Sequence, residues 1–311
     1  MKKLFVTIGI LLVTATLFII AVFVIGSKRQ VVPSNYQTRI ETGGVIEAKY
    51  LGNGSYKVAK KEEPLLLDFK KFTIYYPEEL ETTDRRYPVL VITNGSGIPF
   101  SKIANLAEHY ASWGFVVIGT EEMNAWNAFG AEMSLRYLER MDAEEQVGDK
   151  ASLFYQKIDF DNVGIVGHSQ GGVGVINAIT DTQHQSIYKA AVALSPTNKE
   201  LAHNLFWDYN ATKITIPTLL ISGAGGGDDW VVTGEQLTEI YQDIPANKVK
   251  VRRKDTAHNE VLYAADGYVM AWFMWQLQGD QEAARAFVGE IPEITENPNY
   301  QVIWQCFSTC K

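Results

Sequence analysis

The chain has 311 residues, of which 46% are hydrophobic and 21% are charged. This composition is that of an ordinary globular protein, and it excludes a fully disordered, collagen-like or disulfide-rich scaffold. The formal charge of −8 comes from 36 acidic and 28 basic side chains, without a dense cluster of Lys and Arg. Nucleic acid is therefore not an expected partner.

The first thirty residues differ from the rest of the chain. Residues 4–25 carry no charge, and as a helix they would be roughly 33 Å long, enough to span a bilayer. The run is longer than the apolar core of a cleavable signal peptide and lacks a small-x-small cleavage site. We expect residues 1–29 to be a transmembrane anchor, with a removed signal peptide and secretion as the alternative. Basic pairs flank both ends and set the orientation weakly; we expect the large C-terminal part to lie outside the cytoplasm.

Residues 30–54 are polar, contain Pro, Ser, Asn and Gly, and show no sustained helical or strand period, which predicts a tether. In residues 55–311, strand patterns alternate with helical ones. Strands are predicted at 72–76, 88–92, 115–118, 163–166, 190–194, 218–222 and 249–251, and helices at 103–112, 128–141 and 268–278. This alternation predicts one α/β domain with a mostly parallel sheet and helices on both faces.

The clearest chemical motif is G-H-S-Q-G at residues 167–171, followed by Gly172. It stands directly after a predicted buried strand and before a helix start rich in small residues, which is the context of a nucleophile elbow. The small residues let the strand and the helix approach each other around a strained serine. Ser169 is therefore the predicted nucleophile. A phosphate-binding loop is the alternative, but the glycine patterns of such loops are not centred here.

A serine hydroxyl needs a general base, and in this type of site the base follows the nucleophile and the acid in chain order. Three histidines follow Ser169 in the sequence. His184 and His203 are expected to be structural or solvated. His258 follows the last predicted strand, whose loop reaches the elbow, and is the predicted base.

The acid should lie in the loop after the strand at 218–222, which contains two adjacent carboxylates. Both cannot orient one imidazole. We expect Asp229 to be the acid because it precedes the aliphatic Val231 that can anchor the loop, with Asp228 as the alternative. Asp208 and Asp255 are more remote candidates.

Acyl transfer also needs two amide donors for the tetrahedral oxyanion. One is the amide of Gln170, directly after the nucleophile. The second is expected in the loop at 93–97, after the strand at 88–92, with Ser96 preferred over Gly97. A plain turn is the alternative reading of this loop.

Four stretches together, at residues 87–92, 111–118, 167–172 and 216–221, make the span 72–278 resemble an α/β-hydrolase. The resemblance is to the dienelactone-hydrolase-like esterases and to the bacterial cutinase or polyester-hydrolase group. It implies a triad of Ser169, Asp229 and His258 and an oxyanion hole from Ser96 and Gln170. Acyl transfer by such a triad needs no metal or organic cofactor, and none is expected.

The sequence also departs from that group. Gln170 stands where polyester hydrolases usually carry Met, and Ser96 where they carry an aromatic residue. Thr197 follows Pro196 at the position of their substrate-clamping Trp, so the aromatic clamp is largely absent. Cys306 and Cys310 resemble the C-terminal disulfide of the group, although three intervening residues would make a tighter loop.

These observations predict a membrane-anchored serine esterase that acts through an acyl-enzyme on small-molecule or polymeric esters. No cap insertion of fifty or more residues is evident, so an open cleft for short or exposed esters is expected. The alternatives are a platelet-activating-factor-acetylhydrolase-like lipase, an acyltransferase, or an inactive hydrolase fold that only binds ligands at the cell surface.

Overall fold

The computed structural model describes residues 30–65, 69–147 and 150–307. Within these ranges nine strands form one sheet, and two short strands pair separately. The strands are β1 (Val58–Pro64), β2 (Lys71–Pro77), β3 (Tyr87–Thr93), β4 (Val116–Thr120), β5 (Gln146–Val147), β6 (Lys150–Ala151), β7 (Ile158–His168), β8 (Tyr188–Leu194), β9 (Thr218–Ala224), β10 (Lys248–Lys254) and β11 (Tyr300–Cys306). The helices are α1 (Val45–Leu51), α2 (Ala104–Ser112), α3 (Phe129–Ala143), α4 (Gln170–Ala178), α5 (Lys199–Asn204), α6 (Gly234–Asp243), α7 (Val261–Ala264), α8 (Asp266–Gln278), α9 (Gln281–Ala284) and α10 (Glu293–Glu296).

The large sheet has the order β1-β2-β4-β3-β7-β8-β9-β10-β11. The strands from β4 to β10 in this order are parallel. Strand β2 pairs antiparallel with β1 and β4, and β11 pairs antiparallel with β10. The predicted mostly parallel sheet is confirmed. Because parallel strands end at the same edge, the loops after β3, β7, β8, β9 and β10 meet there.

Helices cover both faces of the sheet. All of β3 is buried, as expected for an apolar strand between two helical layers. Its Leu90 joins one apolar cluster with α1, α2 and α8, whereas its neighbours Val89 and Val91 join a second cluster with α3, α4 and α6. Successive side chains of a strand point to opposite faces, so this run fills two cores. The predicted α/β-hydrolase architecture is confirmed.

The connection from β8 to β9, residues 195–217, contains only α5 and a 3-10 turn at Ala211–Lys213. This length is too short for a cap domain. The expectation of little or no cap is confirmed, and the carboxyl edge of the sheet is left open on this side.

The predicted tether at residues 30–54 is wrong, because this segment is packed onto the domain. Tyr36 and Tyr50 are buried, at 2% and 0% exposure, and α1 packs against α8. The buried Glu47 accepts hydrogen bonds from Arg253 and Tyr300, each at 3.0 Å, and from Asn297 at 2.7 Å. A carboxylate so fully paired can be buried in a segment that looks polar in sequence.

The C-terminal part also extends the sheet. The last strand predicted from sequence lies at 249–251, but β11 follows it and pairs with β10 at the sheet edge. Only Tyr300 of its seven residues is buried and two, Val302 and Trp304, are exposed, so the segment lacks the continuous apolar run of the central strands.

Two predictions lie outside the described residues: the anchor over residues 1–29, and the pairing of Cys306 with Cys310, since residue 310 is not described. Both stay predictions. Across 30–65, 69–147 and 150–307, no helix has the length and apolar character needed to cross a bilayer.

Candidate active site

Ser169 lies at the turn between β7 and α4, at the carboxyl edge of the sheet. Its backbone has φ 60° and ψ −120°, a conformation that non-glycine residues rarely adopt. A Cβ atom at Gly167 would lie 2.0 Å from Thr93 Oγ1, and one at Gly171 would lie 2.2 Å from the carbonyl oxygen of Thr93. Only glycine fits at both positions. The local geometry is that of a nucleophile elbow, with a half-buried serine at its tip.

His258 lies at the same edge, on the loop after β10. Its Nδ1 is 2.5 Å from Oδ1 of Asp228, and the imidazole is 21% exposed while the carboxylate is fully buried. The ring packs against that of His168, the neighbour of Ser169, with ring centroids 4.3 Å apart. With Nδ1 donating to a carboxylate, Nε2 is the ring nitrogen left to accept a proton.

The carboxylate that contacts His258 belongs to Asp228, which corrects the preference for Asp229. The side chain of Asp229 is 58% exposed, and its Oδ1 lies 2.5 Å from Nη2 of Arg252. The guanidinium of Arg252 also donates through Nε to Ser222 Oγ at 3.0 Å and to the carbonyl oxygen of Gly223 at 2.9 Å. Asp229 is thus held by β10 at the surface and is not available to the imidazole.

The turn geometry explains why the acid was predicted one residue too late in the sequence. Gly225, Gly226 and Gly227 all have positive φ and lead into a 3-10 turn at Asp228–Trp230. In this turn the first residue points inward. Val232 is fully buried, whereas Val231 is only half-buried, so the aliphatic anchor also lies one position later than expected.

Asp228 is fixed by two further donors that sequence reasoning missed. Its Oδ2 accepts from the amide of Gly223 at 2.6 Å and from Ser195 Oγ at 3.0 Å. Ser195 follows β8, is fully buried, and has a positive φ of 41°. No sequence motif predicts this buried Ser195 hydroxyl, on a strained backbone, beside the carboxylate of Asp228.

The two predicted amide donors lie beside the elbow. Gln170 begins α4, where the amides have no acceptor within the helix, and its side-chain Oε1 accepts from the amide of Ala125 at 2.9 Å. Ser96 lies in an exposed turn after β3, and a Cβ at the neighbouring Gly95 would be 3.2 Å from the carbonyl oxygen of His168. Within the described residues, neither the Ser96 nor the Gln170 amide has a hydrogen-bond partner.

The loop of Ser96 is held in place by the side chain of Asn94. Nδ2 of Asn94 donates to the carbonyl oxygens of Thr120 at 2.7 Å and Glu122 at 2.9 Å, at the end of β4. The carboxyl of Glu122 is buried there, and burial raises its pKa to about 7. The Ser96 loop thus rests on a second loop that carries a titratable group.

The other histidines that follow Ser169 are engaged elsewhere. Nδ1 and Nε2 of His184 lie 2.7 and 3.0 Å from carboxylates of Glu132 and Glu139 on α3. His203 is exposed on α5, and its Nδ1 lies 2.8 Å from Asp208. Neither contacts the elbow residues. In the described part of the chain, no group of three or more His, Cys, Asp or Glu side chains is arranged to hold a metal ion.

The chain is similar in sequence to several bacterial proteins that are named as cutinases or as a terephthalate-ester hydrolase. The chain is 30% identical over 214 residues to cutinase est1 of Thermobifida alba, which is 67% of this chain and 64% of that protein. It is 29% identical over 186 residues to a cutinase of Thermobifida fusca, which is 58% of this chain and 54% of that protein. It is 27% identical over 196 residues to a bis(hydroxyethyl) terephthalate hydrolase of Streptomyces coelicolor, or 62% of this chain and 57% of that protein.

The chain thus spans less than two thirds of the length of each of these relatives. A family-level match covers more of it: the PET hydrolase-like family matches residues 42–294, which include the elbow serine, His258, Asp228 and the docked helix α1. The chain belongs to the PET hydrolase-like family.

Proposed function

We propose that the protein is a serine hydrolase of carboxylic esters. The observation that carries the proposal is the contact of 2.5 Å between His258 Nδ1 and the buried Asp228, on a loop that packs against the elbow of Ser169. In this assignment Ser169 is the nucleophile, His258 the base, and Asp228 the group that fixes the imidazole tautomer.

The reaction follows from these positions. Ser169 Oγ attacks the ester carbonyl carbon, and its proton passes to His258 Nε2. The amides of Ser96 and Gln170 donate to the oxyanion of the tetrahedral intermediate. The intermediate collapses as the C–O bond to the alcohol breaks and His258 returns its proton to the leaving oxygen. Water then attacks the acyl-enzyme through the same two steps and releases the acid.

The substrates proposed are esters that reach an open edge, either small molecules or exposed ends of a polymer. The short connection after β8 leaves this edge uncovered. The position expected to carry a clamping Trp is Thr197, which is buried at 2% exposure. Trp230, however, is 87% exposed two residues after Asp228, and can offer an aromatic face to an acyl group.

We also propose that residues 4–25 hold the enzyme in the cell membrane, with the catalytic domain outside the cytoplasm. Support comes from the length of the uncharged run and from the absence of a clear cleavage site. Release by cleavage, which gives a secreted enzyme, is the alternative. Mass spectrometry of the mature N-terminus separates the two.

The experiment that tests the function is hydrolysis of p-nitrophenyl esters of increasing acyl length, combined with covalent labelling by a fluorophosphonate. The wild-type protein should hydrolyse short esters and be labelled once per chain, at Ser169. A protein that binds esters without turnover, or that resists the label, is not the enzyme proposed here.

A further inference from the structure

His168 is a buried imidazole that the mechanism above does not use. It occupies the second position of the elbow motif and is 1% exposed, so it is out of reach of substrate. Its Nε2 lies 2.7 Å from the carbonyl oxygen of His258. A carbonyl oxygen only accepts, so Nε2 carries the hydrogen and donates it.

We propose that His168 is a positioning residue, which holds the loop of His258 against the elbow by donating its Nε2–H to the His258 carbonyl. This inference rests on the proposed function. One side chain thereby joins the strand that carries the nucleophile to the loop that carries the base, across ninety residues of sequence.

The surroundings keep His168 neutral. Burial lowers the pKa of His168 to about 3, and the neighbouring His258 ring adds to the effect. Its Nδ1 has no hydrogen-bond partner among the described residues and borders a small apolar cavity lined by Ile98, Tyr110 and Leu262 among others. A proton on Nδ1 would place an unpaired donor in this apolar surrounding. The His168 ring therefore stays uncharged when His258 becomes an imidazolium. The neutral ring does not repel the imidazolium.

The same ring also borders the oxyanion loop. A Cβ atom at Gly95 would lie 3.4 Å from His168 Nδ1 and 3.2 Å from its carbonyl oxygen. The imidazole thus fills the space between the loop of Ser96 and the loop of His258. A smaller residue at 168 would leave a gap beneath both loops, so volume and hydrogen bond must be tested separately.

Two variants separate the effect of the His168 side-chain volume from the effect of its hydrogen bond. His168→Phe keeps a planar ring of similar size but removes the donor, and His168→Gln restores an N–H at a similar reach from the backbone. We expect His168→Phe to lose about tenfold in kcat with KM nearly unchanged, since a net hydrogen bond is worth on the order of a tenfold change. His168→Gln should stay within about threefold of wild type. His203→Phe, at an exposed histidine on α5, is the matched control and should be unchanged.

A spectroscopic signature adds a readout that a packing role would not move. The proton between His258 Nδ1 and Asp228 should give a low-field proton resonance in the wild type and in His168→Gln. In His168→Phe we expect this resonance to broaden or vanish while the midpoint of thermal unfolding stays within a few degrees. Should the Phe variant fail to fold, His168→Met, which also lacks the donor, takes its place.

The proposal is overturned if the donor-free variant keeps wild-type kcat and the low-field resonance. It is equally overturned if the Phe and Gln variants lose activity together, in proportion to lost thermal stability, because His168 would then act only by packing. Failure of the esterase itself is seen separately, in a wild-type protein that neither turns over esters nor reacts with the fluorophosphonate.

Discussion

Arg252 holds Asp229 at the surface, with Nη2 2.5 Å from Oδ1, while the adjacent Asp228 points inward to His258. Two neighbouring carboxylates on one turn thus have different partners. The side chain of Arg252 is only 10% exposed and comes from β10, the strand that also leads into the loop of His258. This division of partners makes the roles of the two aspartates separable by mutation.

Asp228→Asn should lose on the order of 10⁴-fold in kcat, because an amide at this position no longer fixes the imidazole tautomer or balances the imidazolium. Asp229→Asn should keep most of the rate, since it disrupts only a half-exposed ion pair. Steady-state kinetics with a short p-nitrophenyl ester measures both. Reversed results would place the acid at Asp229 in spite of the contact described.

Ser169→Ala should abolish hydrolysis without unfolding the protein, because the hydroxyl lies at a turn and is not part of the packed core. The expected loss is several orders of magnitude in kcat. Circular dichroism and thermal unfolding serve as controls for the fold. Activity above about one per cent of wild type would contradict the assignment of the nucleophile.

Ser195→Ala removes one of two donors to Asp228 Oδ2 and leaves the Gly223 amide in place. We expect a loss of about three- to tenfold in kcat, the size of one net hydrogen bond, with little change in KM. The double variant with Asp228→Asn should be no worse than Asp228→Asn alone, since Ser195 acts only through that carboxylate. Additive losses would show that the hydroxyl has another role.

We expect His109 to make the stability of the protein depend on pH. Its Nδ1 lies 2.8 Å from the buried Asp266, and its Nε2 lies 2.8 Å from the carbonyl oxygen of Gly52. Burial alone lowers the pKa of His109, but the Asp266 carboxylate more than offsets this, so the pKa is raised. A histidine with a raised pKa in the folded state stabilises the fold below its ordinary pKa of about 6.5, and this contribution is lost as the pH rises through the folded value.

The free energy of unfolding attributable to His109 should therefore fall as the pH rises above about 6.5. Urea unfolding of the wild type and of His109→Gln across pH 6 to 9 measures it, with the difference between the two isolating this group. The difference should shrink with rising pH. A difference that is constant with pH would mean that folding does not raise the pKa of His109.

Truncation tests both the anchor and the docked N-terminal segment. The full chain should fractionate with membranes, and a chain starting at Val31 should remain in the supernatant and be active. A chain starting at Ser55 should be unstable, because it lacks the buried Tyr36, Tyr50 and Glu47. A stable, active protein that starts at Ser55 would return residues 30–54 to the status of a tether.

Much of the site could be predicted from sequence because its signals are local. The elbow motif around Ser169 follows a recognisable buried strand, and His258 follows the last parallel strand, so chain order and topology suffice to bring them together. The choice between Asp228 and Asp229 could not be made, since it depends on three consecutive glycines with positive φ that set the direction of the turn. The role of Ser195 could not be predicted for a similar reason, because it depends on a contact between two loops.

The prediction that residues 30–54 form a tether was wrong for a different physical reason. The apolar residues of this segment, such as Tyr36 and Tyr50, are too far apart to form a period, and its helix is only one to two turns long. The segment is held both by apolar side chains buried against α2 and α8 and by the polar contacts of Glu47 to distant residues. Such contacts join residues more than two hundred positions apart, and no pattern in the segment itself predicts them.

The docking of this segment sets how far the enzyme could reach from a membrane. The chain is already fixed at Val31 and Val32, whose amides donate to the carbonyl oxygen of Lys102 at 3.0 and 3.4 Å. If residues 4–25 lie in the bilayer, only residues 26–30 separate the lipid from the folded domain. Five extended residues span at most about 17 Å. The catalytic domain would then stay close to the membrane. It would act on esters presented at the cell surface rather than on polymers held at a distance from it.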